Sequence, residues 1–504
     1  MSDLTYQLIA LVLYFAIMIA IGIYAYRKTS SHEGYMLADR QLPSWAAALS
    51  AGASDMSGWL MMGLPGAIWA FGLIEAWIAI GLTIGAYLNW MFVAPRLRSY
   101  TEVAKNSITI PSFFENRLHD SSRLLRVASG VIVLVFFVFY VSSMMVAGGE
   151  FFTVAFDTPY LTGMLVVAGV TLVYTLIGGF LGASLTDVVQ GAFMMLALLV
   201  VPVIALFSVG GVGDVTSAIR EVDASRLSFF GEAGLSGATA ILILSGLAWG
   251  LGYFGQPHII VRFMAIRNPA SAKAARRVGI SWMAISLVGA IITGLVGIAY
   301  FHQSGTDLDN PEHVVLALSQ LLMHPLIVGF IFAAVLAAIM STVSSQLIVS
   351  SSAFVEDIYG MFGRRTSQRS LLLMGRGCVL IVGVIATLLA LNPADTILNL
   401  VAFAWAGFGA SFGPAILLSL FWRRLTNWGA LAGMVTGALT VFIWSSFGPE
   451  IFGQSLYEIV PGFLANVIVA VVVSKFTFTD NAALDREFDQ AVELANVKKA
   501  VSRA

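Results

Sequence analysis

Three polar interruptions inside apolar runs carry whatever chemistry this chain performs. The first is Ser50-Ala51-Gly52-Ala53-Ser54-Asp55-Met56-Ser57-Gly58-Trp59, an aspartate set among glycines and serines. Glycine and serine lower the cost of unwinding a helix, and an unwound turn turns backbone carbonyls into free oxygen ligands. A carboxylate in the centre of an apolar layer is expensive unless it is paired. Arg262 counts with the basic loop that follows its span, so no lysine or arginine is expected at the depth of Asp55. That leaves a cation from outside, a protonated carboxyl, or a polar residue capping a half-helix. The second interruption is Trp249-Gly250-Leu251-Gly252-Tyr253-Phe254-Gly255-Gln256-Pro257. Its glycines and proline make a continuous helix improbable. Trp249 and Tyr253, four apart, share a face wherever helical geometry persists. They suit an apolar ring in a small polar cavity, or simple packing at a helix crossing. The third is Ala337-Ala338-Ile339-Met340-Ser341-Thr342-Val343-Ser344-Ser345-Gln346. Ala338, Ser341, Thr342 and Ser345 form one helical stripe. Two hydroxyls beside an exposed carbonyl make a hard-oxygen site of the kind Na⁺ takes, although such hydroxyls also bond their own backbone.

The elements that must hold these residues are membrane-spanning helices. The chain of 504 residues is 58% hydrophobic and only 11% charged, with a mean hydropathy of +0.88. A soluble domain carries roughly 25% charged residues, and lipid removes the need for them. Thirteen segments are long and apolar enough to span: about 5–26, 43–70, 73–95, 124–155, 161–181, 185–210, 236–262, 275–302, 326–356, 371–391, 396–422, 428–447 and 456–475. With the N-terminus outside, 25 of the 27 Lys and Arg residues fall on the inner side, leaving Arg220 and Arg226 outside. That asymmetry orients the chain N-out and C-in. The first run has no basic residue before it and ends in Arg27-Lys28, which is a retained helix and not a cleavable signal.

The loops 97–123 and 211–235 have room for short interfacial helices, and the tail beyond Thr479 reads as a soluble amphipathic helix. Gly407 through Gly413 read as hinges or close crossings, and Asp187, near the cytoplasmic end of its span, as a weaker functional candidate or a hydrated residue. The single cysteine, Cys378, excludes an internal disulfide and a cysteine metal site, and reads as a small buried residue. No GxxxxGK[ST] phosphate loop, metal-spaced histidine set or attached enzymatic domain is present, so neither an enzyme nor an ATP-driven pump is expected. A net charge of −1 gives no hint of nucleic acid.

The first two interruptions fall on spans two and seven. A five-helix repeat is odd, so its second copy enters the membrane inverted, and paired broken helices mark a transporter's central site. The runs LSAGASDMSGWLMMGLPGA (Leu49 to Ala67), GLGYFGQPHI with RFMA (from Gly250), LAAIMSTVSSQL (Leu336 to Leu347) and AWAGFGASFGP (Ala404 to Pro414) resemble the sodium/solute symporter family, and within it the bacterial proline carriers. The similarity extends from the first span to about Lys475. The serine pair Ser344-Ser345 departs from the expected serine-cysteine.

The resemblance implies an all-α polytopic membrane protein of about thirteen transmembrane helices. Its core would be a five-plus-five inverted repeat, with one helix before and two after. The divisions would be 1–42, 43–210 (first repeat), 211–235 (external loop), 236–424 (second repeat), 425–475 and 476–504. It also implies sodium-coupled L-proline uptake across a bacterial cytoplasmic membrane, with Na⁺ as coupling ion, no other cofactor and no obligatory protein partner. The sodium ligands would be the carbonyls of Ala53, Met56 and Ala338 and the hydroxyls of Ser341 and Thr342, with Asp55 required for high-affinity sodium use. Proline would lie near Ser57, Gly58, Trp59, Tyr140, Trp249, Tyr253 and Pro257. The competing readings are a sodium- or proton-driven symporter of another small solute, such as pantothenate or a monocarboxylate, and a proline sensor that moves nothing.

Overall fold

Every polar backbone group in an apolar layer must find a partner within the protein, which confines the spanning segments to helices. The structure, a computed structural model, describes residues 2–28, 37–362, 367–393 and 395–496. Helix α1 (Asp3–Lys28) precedes the broken pair α2 (Ser44–Asp55) and α3 (Leu64–Phe71), which are rejoined through the π-turn Trp59–Gly63. Next come α4 (Ala76–Leu88), the π-turn Asn89–Val93 and α5 (Ala94–Val103), then the short α6 (Ile110–Arg117). The long helices α7 (Leu124–Phe156) and α8 (Tyr160–Val209) lead to the surface helix α9 (Val212–Asp223). A second broken pair, α10 (Gly237–Gly252) and α11 (Pro257–Ala265), bends by 42° and is followed by α12 (Ser271–Ser304) and α13 (Val314–Leu322). Helix α14 (Pro325–Ser352) continues into the π-turn Ala353–Ile358. The remainder is α15 (Gln368–Leu389), α16 (Ile397–Phe421), α17 (Asn427–Phe447), α18 (Ile459–Thr477) and α19 (Ala482–Ala495). A two-stranded hairpin, β1 (Glu450–Ile451) against β2 (Gln454–Ser455), closes the turn between α17 and α18.

Ten helices among the described residues are each long and apolar enough to cross a membrane, and the bent pair α10–α11 makes eleven. The sequence expects thirteen, a count that would require two over-long runs each to be divided, one of them yielding only the short stretch Tyr160–Val173. Trp59–Val103, at 45 residues, would extend about 68 Å at 1.5 Å per residue, roughly twice the hydrocarbon thickness. It breaks at the 3-10 turn Gly72–Glu75, where Gly72 takes φ 81° and a Cβ would lie 2.4 Å from the Arg226 backbone. Helix α8, 50 residues long, turns at Gly179 (φ 58°, ψ −174°), a few residues before the boundary the sequence suggests. Its first part contributes the short apolar stretch Tyr160–Val173.

Several expectations take definite form. The loop 97–123 carries α6, begun by a reciprocal cap in which Thr109 and Ser112 accept each other's backbone N–H, both at 3.1 Å. The loop 211–235 carries α9 and a 3-10 turn. The tail helix α19 is amphipathic as expected, but it is docked, with Phe488 and Ala491 buried. Phe488 meets Tyr100 edge-on at 6.0 Å, and the Arg117 guanidinium lies over both rings. Arg117, counted from sequence among loop residues, is thereby 1% exposed. Cys378 is buried and donates to the Ser350 carbonyl at 3.6 Å.

The glycine-rich α16 is a close crossing. A Cβ on Gly409 would sit 2.8 Å from the Gly252 Cα. Pro414 lies inside this helix, and its missing N–H leaves the Ala410 carbonyl without its helical donor. Asn466 of α18 supplies the replacement: its amide donates to Ala410 O and Ser411 O, both at 2.7 Å. Asn466→Leu should therefore lower stability by about 1–3 kcal/mol by stranding a buried acceptor. Pro414→Ala, which restores the helical N–H, should recover part of that loss in the double variant. Thermal unfolding of the four proteins in detergent measures both effects.

Candidate functional site

Helix α2 stops at Asp55 because its C-cap, Met56, leaves helical geometry at φ −74°, ψ 77°. The carbonyls freed at this break have named donors. Asp55 O accepts from Trp59 Nε1 at 3.1 Å and from the Ser57 N–H at 2.9 Å. Ala53 O accepts from the Ser341 hydroxyl at 2.7 Å. The second break, at 253–256, is satisfied in the same way. Asn89 donates to Tyr253 O at 2.7 Å and Trp405 to Trp249 O at 2.8 Å, while the Gln256 side chain reaches out of the break to Trp405 O of α16 at 3.0 Å.

The expected cation ligands meet in part. Ser341 Oγ also lies 3.2 Å from Ala338 O, so one hydroxyl and two carbonyls from α2 and α14 converge. Thr342 is fully buried, and its hydroxyl has no hydrogen-bond partner. Three converging neutral oxygens, with an orphaned hydroxyl on the next residue of α14, are a donor set that suits a hard monovalent cation, which takes oxygen ligands. Met56 is buried at the break. The Asp55 side chain faces elsewhere: Oδ2 accepts from the Tyr253 hydroxyl, and Oδ1 has no partner. A tyrosine hydroxyl from the second break is thus a partner for the carboxylate that the sequence did not suggest.

The aromatic residues close over this region. Trp249 lies 6.1 Å from Trp59, 6.3 Å from Trp405 and 5.4 Å from Tyr457, centroid to centroid. Tyr253 meets Trp405 edge-on at 5.1 Å. Trp249 also lines an open cavity of about 680 Å³ with Tyr457, Leu398, Glu75 and Asp395, on the side away from the basic loops. Below, Ser57 Oγ and Tyr140 OH are neighbours, yet neither completes a normal hydrogen bond. Gly58 permits this closeness, since a Cβ there would meet Ala147 at 3.0 Å. Pro257 opens α11, where its missing N–H costs nothing.

Two expectations are corrected. Arg262 is not a loop residue: α11 runs on to Ala265, and Arg262 is 1% exposed. Asp187 is not hydrated but fully buried, 3.1 Å from the Arg262 guanidinium. Arg262 also donates to Ser50 Oγ (3.0 Å), to Ser345 Oγ (2.7 Å) and to the His258 carbonyl, joining α2, α8, α11 and α14. Ser50 donates to Asp187 at 2.7 Å. The apolar sequence His258-Ile-Ile-Val-Arg262-Phe-Met-Ala continues the helical pattern past the arginine and was the available signal. Trp405, Tyr457 and Asn89 stand in apolar runs with no sequence signal of their roles.

A model of the sodium:solute symporter family matches residues 35–437. The high-affinity proline transporter PutP of Bacillus subtilis (strain 168) is 53% identical over 473 residues, 94% of this chain and 98% of that protein. The osmoregulated proline transporter OpuE of the same organism is 50% identical, covering 98% and 99%. The sodium/proline symporter of Staphylococcus aureus (strain JH9) is 47% identical, covering 98% and 97%. Among solved structures, a Na⁺-coupled sialic acid symporter in a substrate-bound outward-open state is 19% identical with a TM-score of 0.79, over 94% of this chain and 98% of that one. The likeness to that structure is one of fold.

The buried ion pair yields a test by deletion. Asp187→Asn leaves the Arg262 charge without its counter-ion, and should cost about 3–5 kcal/mol of stability. Asp187→Asn combined with Arg262→Met should regain much of that loss, read by thermal unfolding of the purified proteins.

Proposed function

This chain belongs to the sodium:solute symporter family, and from that premise we propose that it carries L-proline across a bacterial cytoplasmic membrane, driven by sodium. The observation that carries the reading is the convergence of Ser341 Oγ, Ala53 O and Ala338 O at a helix break, beside the unpartnered Thr342 hydroxyl. Sodium would take those oxygens together with the Met56 carbonyl, replacing the hydrogen bond from Ser341 to Ala53 by a bridge of ligands across α2 and α14. Asp55 would contribute its charge from the other side of the break, where Tyr253 orients it. Bound sodium would then hold the break in one arrangement and so shape the neighbouring pocket.

Proline would dock beside Ser57, Gly58, Trp59, Tyr140, Trp249, Tyr253 and Pro257, its ring against the aromatics and its carboxylate toward the N-terminus of α11. Trp249, which lines the open cavity and stacks on Tyr457, would form the wall between that cavity and the proline site. Residues 43–210 and 236–424 would form the two inverted repeats, and rocking between them would close one path as the other opens. The concentration of basic residues in alternate loops supports an N-terminus outside and a C-terminus inside. An inward-negative potential of 100 mV would add about 2.3 kcal/mol for each charge carried fully across.

Purified protein in liposomes with an imposed inward Na⁺ gradient should accumulate radiolabelled L-proline beyond equilibrium. Uptake should vanish when K⁺ replaces Na⁺ and collapse in Asp55→Asn. Sodium-driven uptake unchanged in that variant would remove Asp55 from the coupling site. Thr342→Ala and Ser341→Ala should each raise the half-saturating Na⁺ concentration roughly tenfold, the equivalent of about 1.4 kcal/mol per lost ligand. Unlabelled pantothenate and monocarboxylates should fail to compete, and competition by either would reassign the substrate.

A further inference from the structure

One imidazole in the interior has no use in the fold. His258, the second residue of α11, is fully buried, and neither Nδ1 nor Nε2 has a hydrogen-bond partner. Its ring stands edge-on to Tyr140 at 5.8 Å and to Phe137 at 5.7 Å. The Tyr140 hydroxyl, on that neighbouring ring, completes no normal hydrogen bond and has the Ser57 hydroxyl as its neighbour. A neutral imidazole carries one donor and one acceptor, and burying both unused costs as much as losing the hydrogen bonds outright. Phenylalanine or leucine would fill the same space without that cost. The vacant hydrogen-bonding capacity therefore points to a polar ligand.

The start of α11 favours an anionic group as that ligand. His258 sits in the first turn of α11, where Pro257 has no N–H, the N–H groups of Ile259 and Ile260 bond to Gln256 O, and the positive end of the helix dipole favours negative charge. Its carbonyl accepts from the Arg262 guanidinium, whose charge Asp187 balances at 3.1 Å. Arg262 itself is committed to Asp187, Ser50 and Ser345 and does not reach forward as a clamp.

We propose that His258 is a substrate-binding residue whose ring N–H donates to the carboxylate of the transported amino acid, with Tyr140 and Ser57 beside it. The inference rests on the reading of the chain as a proline carrier and deepens it.

The test is equilibrium binding of radiolabelled L-proline to the purified protein in saturating Na⁺, with competition by L-prolinamide, which keeps the ring and amine but lacks the carboxylate. His258→Phe should weaken proline binding roughly 10- to 100-fold, the range for one charge-assisted hydrogen bond. The same variant should leave the affinity for prolinamide and the Na⁺-induced rise in melting temperature unchanged. His258→Gln, which keeps a donor, should recover most of the loss. His258→Met repeats the comparison with a flexible side chain if the phenylalanine variant does not fold. Proline binding unchanged in His258→Phe would overturn the assignment, as would equal losses for proline and prolinamide, which mark a packing role. Absence of sodium-dependent proline binding by the unaltered protein would overturn the proline reading itself.

Discussion

A carboxylate in the middle of a helix bundle needs a partner, and Asp55 has one that comes from the other broken helix. Its contact with the Tyr253 hydroxyl joins the end of α2 to the start of the second interruption. The two breaks are therefore coupled through one hydrogen bond, and each exists only because side chains elsewhere satisfy its backbone. Trp59, Ser341, Asn89 and Trp405 supply those donors. An unwound segment without them would expose carbonyls to an apolar layer at a cost of several kcal/mol each.

Ser341 is the instructive member of that group. Its hydroxyl both satisfies Ala53 O and lies against Ala338 O, so the position that stabilises the break is also one where a cation would substitute for a proton. A hydroxyl can turn from donor to ligand by rotating one bond, at little structural expense. Were sodium to bind there, coupling between ion and pocket would need no large rearrangement at the site. It would need only that the break be held more firmly with the ion than with the hydrogen bond, a difference in interaction free energy between two states.

A second joint lies nearer the basic loops. Arg262 and Asp187 are both buried, and Ser50 and Ser345 add hydrogen bonds to the pair through Asp187 Oδ2 and the Arg262 guanidinium. Such a pair adds little net stability, because desolvation offsets most of the attraction. Its value is geometric. Four helices are held in one register by a planar group with fixed donor directions, and α11 cannot shift without leaving a buried charge exposed to apolar neighbours.

The spans, their interruptions at Asp55 and at Gly250 to Pro257, and the hydroxyl stripe at Ser341 and Thr342 were legible in the residues themselves. Bilayer thickness sets helix length, and glycine, proline and buried polar groups announce a break wherever they interrupt an apolar run. The sequence alone thus determined that this chain is a polytopic helical membrane protein with paired broken helices. It did not disclose that Tyr253 faces Asp55, that Trp405 and Tyr457 join Trp249, or that Arg262 belongs inside with Asp187. Those partners are separated by 156 and 75 residues for Trp249–Trp405 and Arg262–Asp187. Composition and periodicity describe the face a residue occupies on its own helix. Only the packing of one helix against another decides which face it meets, and there the tertiary structure turned apolar-run residues into donors and a counted loop arginine into a buried counter-ion.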